Sequence, residues 1–553
     1  MKKNITNNPT IVIRDDGFSH LFRCEMPCTP KKFGDLFAGY LKGKAHIREI
    51  GVGAGFAYTY NTKIGDIMGS DVPIKFIDDS NGGSLSWNLP KEILDLLKKH
   101  SDDESIIDKA YKLLNELQPK SWLRWSDLRA IANIHNLIKE GSDPFGVLAE
   151  KSHEIGLKVW ARFELLKGAP SSLIDKEEIF IKGTTKTTFK SQEVRTHYHN
   201  IFKEIISLGA DGISLDFCVY PPFVENPREE GVYLTNFLRE IRGNFPNTEI
   251  VTRLPRNPEQ YGLYWREWIE ENVVDVIIPS VILPGELFDL NVDEYIEAAI
   301  GTKCKIFGCM RPKYTNIDPD EKKKDGNKKP KHRFNRPCTE ENDMARASLL
   351  LNSGVDGLQI ALGTAMSYDE NIAYASNPYT DMYKPHYEKL LDYNNIKYTD
   401  KTYPLVNGDL FTATLDNNCN VLTIPFRIAE DFQGAKALGI KVCVSICPIM
   451  RALRSEEKMI VVLNNKHAIG LTNNNLKGDF NEPVNYSHTD VVDADNFEFG
   501  WWLKGRKYIS ISSDYIKNGE NILSFIFESS CNSSIDIIDV DVEVKYNSGQ
   551  GRG

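Results

Sequence analysis

A chain of 553 residues is too long for one hydrophobic core, so two to four domains are expected. Hydrophobic residues make up 41% and charged residues 26% of the sequence, which is the ordinary balance of a globular protein. The formal net charge of −10 favours neither nucleic acid nor an anionic membrane as a partner.

The amino-terminal segment and the hydropathy of the chain bear on where the protein works. Two lysines open the sequence without an apolar run behind them, so no intact signal peptide is recognised. No apolar stretch reaches the roughly 20 residues that span a bilayer. We therefore expect a cytoplasmic protein, or one that is secreted or periplasmic after removal of a leader. The sequence predicts no oligomeric state.

The ten cysteines are scattered, with no CxxC pair and no histidines at zinc-ligand spacing. Buried reduced thiols are the simplest interpretation. Cys24 with Cys28, or Cys443 with Cys447, would form a disulfide only in an oxidising compartment. No metal and no cofactor are predicted.

Through the first 400 residues, short β-branched apolar runs alternate with amphipathic helical stretches, which is typical of successive βα units. Eight such units favour a closed TIM (β/α)8 barrel over residues 1–400. An open doubly wound sheet usually begins with a glycine-rich phosphate loop, and the sequence has no GxGxxG or Walker motif. The predicted strands are His46–Gly53, Lys120–Arg124, Lys158–Leu165, Gly212–Val219, Glu249–Leu254, Val274–Ile282, Lys305–Met310 and Asp356–Leu362.

Two insertions interrupt this pattern. Residues 57–120 contain a piece rich in glycine, serine and asparagine, and residues 313–338 form a strongly charged loop that contains prolines. The charged loop is interpreted either as a solvated excursion or as a lid over the carboxyl end of the barrel, where βα loops gather.

After Tyr403 the apolar residues recur with period two, and Asn/Gly turns separate the runs. This pattern predicts an all-β sandwich of the jelly-roll type over residues 401–553, with a carbohydrate-binding or accessory role. Trp501 and Trp502 are interpreted either as a platform for a sugar ring or as two aromatic side chains on opposite faces of one strand. In the second case, one of the two side chains packs in the core.

The catalytic candidate comes from the fourth predicted strand. In a TIM barrel, polar residues at the carboxyl ends of strands are functional candidates, because packing does not require them there. Alternation in GISLDFCV puts Ser214 and Asp216 on one face, and Ile213 and Leu215 on the other. A carboxylate in that position must be hydrogen-bonded, ion-paired or functional. Asp216 is therefore the predicted catalytic residue, with a structural role as the alternative.

Other strand ends add polar side chains to the same rim. Glu164 is the predicted partner acid of Asp216, and Asp15, Asp16, Glu225 and Glu286 compete with it for this role. Two carboxylates at one rim are what glycoside hydrolysis usually needs. Three arginines are either salt-bridge partners of these acids or forks for a carboxylate or sulfate, which would favour an acidic or sulfated sugar. The predicted substrate-binding residues, these arginines included, are Arg162, Arg253, Arg311, Tyr220, Trp160, Ser280 and Gln359.

A family pattern surrounds Asp216 in SQEVRTHYHNIFKEIISLGADGISLDFCVYPPF, where Val194-Arg195 begins a helix, Asp211-Gly212 precedes the strand and Tyr220-Pro221 forms the turn after it. The segment resembles the fourth-strand region of glycoside-hydrolase-like family 10 barrels, a group of bacterial glycosidases. YGLYWREWIEENVVDVIIPSVI and GVDGLQIAL are similar to later segments of that family, so the resemblance covers roughly residues 150–370.

The resemblance implies carbohydrate hydrolysis with Asp216 at its centre. Phe217 stands where the family often has a second acid, and Glu164 replaces a residue that is more usually polar or aromatic. These two departures leave the identity of the partner acid open.

The leading hypothesis is a glycoside hydrolase that acts on a poly- or oligosaccharide. One alternative is a non-catalytic barrel that binds glycans, which the lack of a second carboxylate within about 10 Å of Asp216 would favour. The other is a barrel lyase or isomerase, which needs a phosphate cradle after the seventh and eighth strands. Gly363-Thr364 is a weak candidate for that cradle. A carbohydrate is the expected partner.

Overall fold

The computed structural model describes residues 5–15, 17–24, 27–36, 38–68, 122–165, 168–219, 221–282, 287–311, 313–315, 335–361, 388–405, 413–449, 453–471, 508–537 and 539–547. Eight parallel strands form a closed barrel, and antiparallel sheets follow it along the chain. The fold class predicted from the sequence, a (β/α)8 barrel with a carboxyl-terminal β-sandwich, is confirmed.

The barrel closes because its last strand pairs with its first. Each strand lies parallel to its neighbours around the ring, and Gly357 at the start of the last strand is the register partner of Thr10. The strands are β1 (Thr10–Asp15), β2 (Ile47–Gly51), β3 (Lys158–Glu164), β4 (Gly212–Asp216), β5 (Glu249–Leu254), β6 (Val276–Pro279), β7 (Lys305–Met310) and β8 (Gly357–Ala361).

One predicted strand is wrong, and one strand of the barrel is absent from the prediction. The segment predicted as a strand at Lys120–Arg124 runs into the helix Trp122–Lys139, because the apolar residues there recur with helical spacing. The missing strand is Thr10–Asp15, where Ile11, Val12 and Ile13 are fully buried. A barrel strand is covered on both faces, so a continuous apolar run is what this position requires.

Helices connect the strands on the outside of the barrel, and several begin at a side-chain cap. Asp143, Ser191 and Thr339 each accept a hydrogen bond from a backbone N–H in the first turn of the helix that follows. The barrel helices are α1 (Phe18–Arg23), α2 (Pro30–Asp35), α3 (Ala38–Leu41), α4 (Trp122–Lys139), α5 (Pro144–Glu154), α6 (Gln192–Ser207), α7 (Pro227–Asn244), α8 (Trp265–Glu270), α9 (Asp293–Ala299) and α10 (Glu340–Ser353).

Side chains along each barrel strand alternate between the inside of the barrel and the surrounding helices. Toward the amino-terminal end of the strands the inside is apolar, and Val12, Trp160, Val251, Ile278 and Phe307 pack there as one cluster. Nearer the carboxyl end the inward positions become mostly polar or charged, so the apolar core stops below the rim. These positions are Arg14, Glu49, Arg162, Glu164, Ser214, Asp216, Arg253 and Gln359.

In the residues that the structure describes, the carboxyl-terminal domain contains two four-stranded antiparallel sheets and a two-stranded ladder. In sheet order the strands are β9-β18-β12-β15, β11-β16-β13-β14 and β10-β17. A short helix, α11 (Phe432–Ala437), precedes β12. The strands are β9 (Lys401–Pro404), β10 (Ala413–Leu415), β11 (Val421–Ile428), β12 (Lys441–Ile449), β13 (Glu457–Leu463), β14 (His467–Leu471), β15 (Ile509–Ile511), β16 (Gly519–Ser529), β17 (Ile535–Ile537) and β18 (Asp539–Asn547).

The sandwich packs against the barrel through apolar side chains and polar links. Phe288 and Leu349 of the barrel belong to the same buried cluster as Tyr403 of the sandwich. Across this junction, Nε of Arg427 donates to a carboxylate oxygen of Asp289 at 2.9 Å.

Several sequence predictions concern residues that the structure does not describe. Trp501, Trp502 and most of the insertion at 57–120 lie outside the described residues, as do residues 316–334 of the charged loop. The described ends of that loop, Lys313–Thr315 and Asn335–Pro337, pair as an antiparallel ladder. No described helix is both long and apolar enough to cross a bilayer. Cys218, Cys309, Cys419, Cys443 and Cys531 are free thiols.

Candidate active site

Asp216 lies inside the barrel at the carboxyl end of β4, as strand alternation predicted, and its side chain has no solvent exposure. Nη1 of Arg253 lies 3.0 Å from both carboxylate oxygens, and Nη2 of Arg14 donates to Oδ2 at 2.9 Å. The backbone N–H of Cys218 donates to Oδ1 at 3.0 Å, and Arg162 lies 3.7 Å away. One buried carboxylate thus meets three guanidinium groups.

These contacts fix the charge of Asp216. Burial alone would raise the pKa of Asp216, but Arg253, Arg14 and Arg162, with the N–H of Cys218, hold it well below its ordinary value. The side chain is therefore a carboxylate at neutral pH. An ionised carboxylate can stabilise positive charge, accept a proton or attack as a nucleophile, but it has no proton to donate as a general acid.

Glu164 stands beside Asp216 at the end of the neighbouring strand. The two residues are register partners in the parallel ladder of β3 and β4. Nη1 of Arg162 donates to Oε1 of Glu164 at 2.6 Å and lies 3.7 Å from Oδ2 of Asp216. Because both oxygens lie near one nitrogen, they are at most 6.3 Å apart. This limit is below the roughly 6.5–9.5 Å carboxyl separation of inverting glycosidases and is compatible with the roughly 5–5.5 Å of retaining ones. Glu164 keeps 20% of its side chain exposed.

A second buried acid, Glu49 on β2, completes the polar layer. Its carboxylate accepts hydrogen bonds from Ser214 Oγ at 2.5 Å and from Gln359 Nε2 at 2.7 Å. Nε of Arg14 lies 3.9 Å from the same carboxylate. Gln359 was predicted as a substrate-binding residue, but it is fully buried, and its amide supports Glu49.

Arg253 and Ser280 form a chain of contacts on the other side of Asp216. Nη2 of Arg253 donates to Ser280 Oγ at 2.7 Å, and that hydroxyl lies 3.5 Å from Cys309 Sγ. Arg253 is 1% exposed and Ser280 is 4% exposed. Both predicted substrate-binding side chains are therefore engaged inside the protein, where they orient Asp216.

Trp160, predicted to offer a face to a sugar, is at the wrong end of the barrel. Its indole is 1% exposed and packs beside Phe307, with ring centroids 6.1 Å apart, in the apolar layer. Its Nε1 donates to Glu249 at 2.7 Å. Trp160 comes early in β3, so its inward side chain fills the amino-terminal end of the barrel and not the rim.

Of the two remaining predicted binding residues, Tyr220 and Arg311, the structure describes Arg311. Tyr220 lies outside the described residues. Arg311 follows β7 and is partly buried, its backbone oxygen accepts a hydrogen bond from Nη1 of Arg346 at 2.7 Å, and its charge acts on Arg14. Arg311 therefore belongs to the same charged region as Asp216.

Asp15, a competitor for the role of second acid, faces away from the barrel interior. Its carboxylate accepts hydrogen bonds from Nε and Nη2 of Arg48 at 3.1 and 2.9 Å and contacts His20 Nε2. The group is buried between β1 and the helices, and its contacts account for it as a structural ion pair. Among the described residues no group of His, Cys, Asp and Glu is arranged to hold a metal ion.

Comparisons with known proteins give no family. No protein-family model matches the sequence, and no curated protein matches it. The similar solved structures include Amy13B of Eubacterium rectale, at 9% identity and a TM-score of 0.35 over 95% of this chain and 96% of that one. The α-galactosidase TtGalA of Thermus thermophilus, in complex with p-nitrophenyl α-D-galactopyranoside, has 10% identity and a TM-score of 0.33 over 78% of this chain and 67% of that one.

The glycoside hydrolase domain of PelA from Pseudomonas aeruginosa has 14% identity and a TM-score of 0.24 over 30% of this chain and 72% of that domain. TM-scores at this level are too low to establish a shared fold, so the barrel assignment rests on the strand pairing of this chain. Family 10 membership stays a prediction from the sequence.

Proposed function

We propose that the chain is a glycoside hydrolase acting on a poly- or oligosaccharide, with Asp216 and Glu164 as its two carboxylates. The observation that supports this most directly is their common position: register partners at the carboxyl end of adjacent barrel strands, on either side of one nitrogen of Arg162. Active sites of TIM-barrel enzymes lie at this end of the barrel.

The two carboxylates have different roles in this proposal. Asp216 is ionised, so it stabilises the positive charge that develops on the sugar ring, or attacks the anomeric carbon as a nucleophile. Glu164, which keeps part of its side chain exposed, meets the glycosidic oxygen and transfers the proton. Their short separation favours retention of configuration.

Catalysis by this pair has a structural requirement. The guanidinium of Arg162 now lies between the two acids, and a sugar must occupy that space for the reaction. Arg162 therefore has to turn away from both carboxylates when the substrate enters, so that Glu164 can carry the proton that it gives to the glycosidic oxygen, while Arg253 and Arg14 keep Asp216 charged.

The experiment is a screen of reducing-sugar release over a panel of polysaccharides with the wild type, Asp216→Asn and Glu164→Gln. The control is Glu271→Gln, which removes a carboxylate from a surface pair with Arg239. We expect Glu164→Gln to lose at least about a hundredfold in turnover, as removal of a proton-transfer group usually causes. Asp216→Asn should lose at least as much, because it removes the nucleophile or charge-stabilising group, and the control should keep full activity. An Asp216→Asn enzyme that keeps more than about a tenth of wild-type turnover contradicts the central role of Asp216.

The complete burial of Asp216 favours one alternative, a barrel that binds glycans without cleaving them. In that case Asp216 is the counter-ion that holds Arg253, Arg14 and Arg162 in place. The wild type would then release no reducing sugar from any polysaccharide of the panel. It would still bind at least one of them in affinity electrophoresis.

A further inference from the structure

Arg14, which the sequence analysis did not single out, reaches from β1 into the group around Asp216. Its Nη2 donates to Asp216 Oδ2 at 2.9 Å, and its side chain remains 10% exposed. By comparison the side chains of Arg162 and Arg253 are 3% and 1% exposed. Arg14 and Glu164 are thus the more accessible charged groups of this cluster.

The carboxylates near Arg14 already have other partners. Asp216 is held by Arg253 at 3.0 Å through both oxygens, and Arg162 is paired with Glu164 at 2.6 Å. The nearest other acid, Glu49, lies 3.9 Å from Nε of Arg14 and already accepts hydrogen bonds from two neutral side chains. Arg14 has weaker compensation than either neighbouring arginine.

The electrostatics agree with this geometry. Burial, and the charges of Arg162, Arg253 and Arg311, lower the pKa of Arg14 to about 10, although Asp216 acts in the opposite direction. By contrast, despite their burial, the pKa values of Arg162 and Arg253 are raised, chiefly by Glu164 for the first and by Asp216 for the second. The guanidinium of Arg14 is therefore less fully compensated by negative charge than those of its two neighbours.

Hydrogen-bond donors are also left over at this point. Within the described part of the chain, the buried Nε atoms of Arg14, Arg162 and Arg253 have no hydrogen-bond partner. A buried donor without an acceptor is unfavourable, so an oxygen that accepts a hydrogen bond from such an Nε–H would be bound more tightly. Guanidinium groups prefer oxyanions, which take two parallel hydrogen bonds from the fork.

We propose that Arg14 and Arg162 bind one anionic substituent of the saccharide, a carboxylate or a sulfate, at the carboxyl end of the barrel. This inference rests on the proposed function and names its substrate class as acidic or sulfated sugars. The sequence also favoured Arg253 for this role, but its side chain is only 1% exposed and its Nη1 and Nη2 contact Asp216 and Ser280, so its part is to hold Asp216.

Binding of three small sugars tests the inference without requiring turnover. Isothermal titration calorimetry compares glucuronate, glucose 6-sulfate and glucose on the wild type, Arg14→Gln, Arg14→Lys and Arg239→Gln. Arg239 is an exposed arginine whose carboxylate partner is Glu271, so its variant is the matched control for loss of one positive charge. Arg14→Lys keeps the charge opposite Asp216 and is the variant to use if Arg14→Gln does not fold.

We expect the wild type to bind at least one of the two anionic sugars ten or more times as tightly as glucose, and the tighter of the two identifies the substituent. Arg14→Gln should lose that preference, Arg14→Lys should keep part of it, and Arg239→Gln should keep all of it. A wild type without the preference, or one that binds neither anion, overturns the inference. So does an unchanged preference in folded Arg14→Gln or Arg14→Lys.

The two proposals fail separately. A protein that prefers anionic sugars in calorimetry but releases no reducing sugar from any polysaccharide loses the hydrolase assignment and keeps the anion site. A protein that hydrolyses a neutral polysaccharide and binds glucose as tightly as glucuronate and glucose 6-sulfate keeps the hydrolase assignment and loses the anion site.

Discussion

Asp216 and Arg253 are register partners on β4 and β5, and Nη1 of Arg253 lies 3.0 Å from each carboxylate oxygen of Asp216. Neither side chain is appreciably exposed. Since the pair joins adjacent strands of one ladder, its geometry is set by the register of the sheet and not by flexible loops.

Loss of Arg253 should destabilise the barrel more than loss of the whole pair. Arg253→Met leaves Asp216 buried with weaker compensation, and breaking a buried pair from one side typically costs about 3–5 kcal/mol. Asp216→Asn combined with Arg253→Met removes both charges and should recover part of that loss. Urea unfolding of the two single variants and the double variant measures the coupling, and strictly additive changes in the free energy of unfolding would contradict it.

The carboxylate of Asp216 should make the protein sensitive to acid. Its pKa is depressed in the folded state, so the stability that it contributes is complete above the unfolded value of about 4 and is lost as the pH falls below that value. Asp216→Asn should flatten the dependence of unfolding free energy on pH between about 4 and 2, the range in which the unfolded side chain takes up its proton. Asp175→Asn, in an exposed loop, is the control, and equal slopes for all three proteins would refute the prediction.

His197 should act at a higher pH. It is buried against Phe56, with ring centroids 5.3 Å apart, and burial lowers its pKa to about 4. The unfolded chain binds the proton at about pH 6.5, so His197 costs nothing above that pH and reduces stability as the pH falls toward 4. His197→Phe should reduce the slope of unfolding free energy against pH in that window by up to about 1.4 kcal/mol per pH unit. Chemical denaturation of the wild type and His197→Phe at pH 7 and pH 5 measures this slope. The same change in unfolding free energy between the two pH values in both proteins would contradict the prediction.

A buried ion pair should hold the sandwich together. Lys401 Nζ lies 3.2 Å from Glu430 Oε2, and Tyr403 OH donates to Glu430 Oε1 at 2.6 Å. Tyr546 also donates to this carboxylate. Burial lowers the pKa of Lys401 and raises the pKa of Glu430, so each needs the other to stay charged.

Lys401→Met should therefore cost about 3–5 kcal/mol, because it leaves Glu430 buried without its counter-ion. The double variant with Glu430→Gln should be more stable than Lys401→Met alone. Thermal unfolding followed by circular dichroism ranks the variants, and a double variant less stable than either single one would exclude this account.

The sequence predicted most of the fold because barrel strands are short apolar runs bounded by polar residues. Seven of the eight barrel strands overlap predicted ones. The eighth, Thr10–Asp15, was not predicted, although it has the same apolar signature. Lys120–Arg124 failed because five residues are too few to distinguish strand period from helix period.

The site was only partly predictable, for a physical reason. Alternation alone pointed Asp216 into the barrel, but its partners depend on which strands are neighbours and how they are staggered. Arg14 is 202 residues away from Asp216 along the chain, and only the closed ring brings them to 2.9 Å. The sequence also could not predict how deeply each polar side chain is buried, and it did not show that Gln359 and Ser280 are enclosed.

Barrel closure has a consequence for assembly during synthesis. Thr10 on β1 finds its partner in Gly357 on β8, so the ring stays open, with two unpaired strand edges, until β8 has been synthesised and has left the ribosome. Until then Arg14 is on a strand at the edge of an incomplete sheet and can remain hydrated. The contact of Arg14 with Asp216 is therefore expected to form later than the pairs within and between the neighbouring strands β3, β4 and β5, when β8 closes the ring.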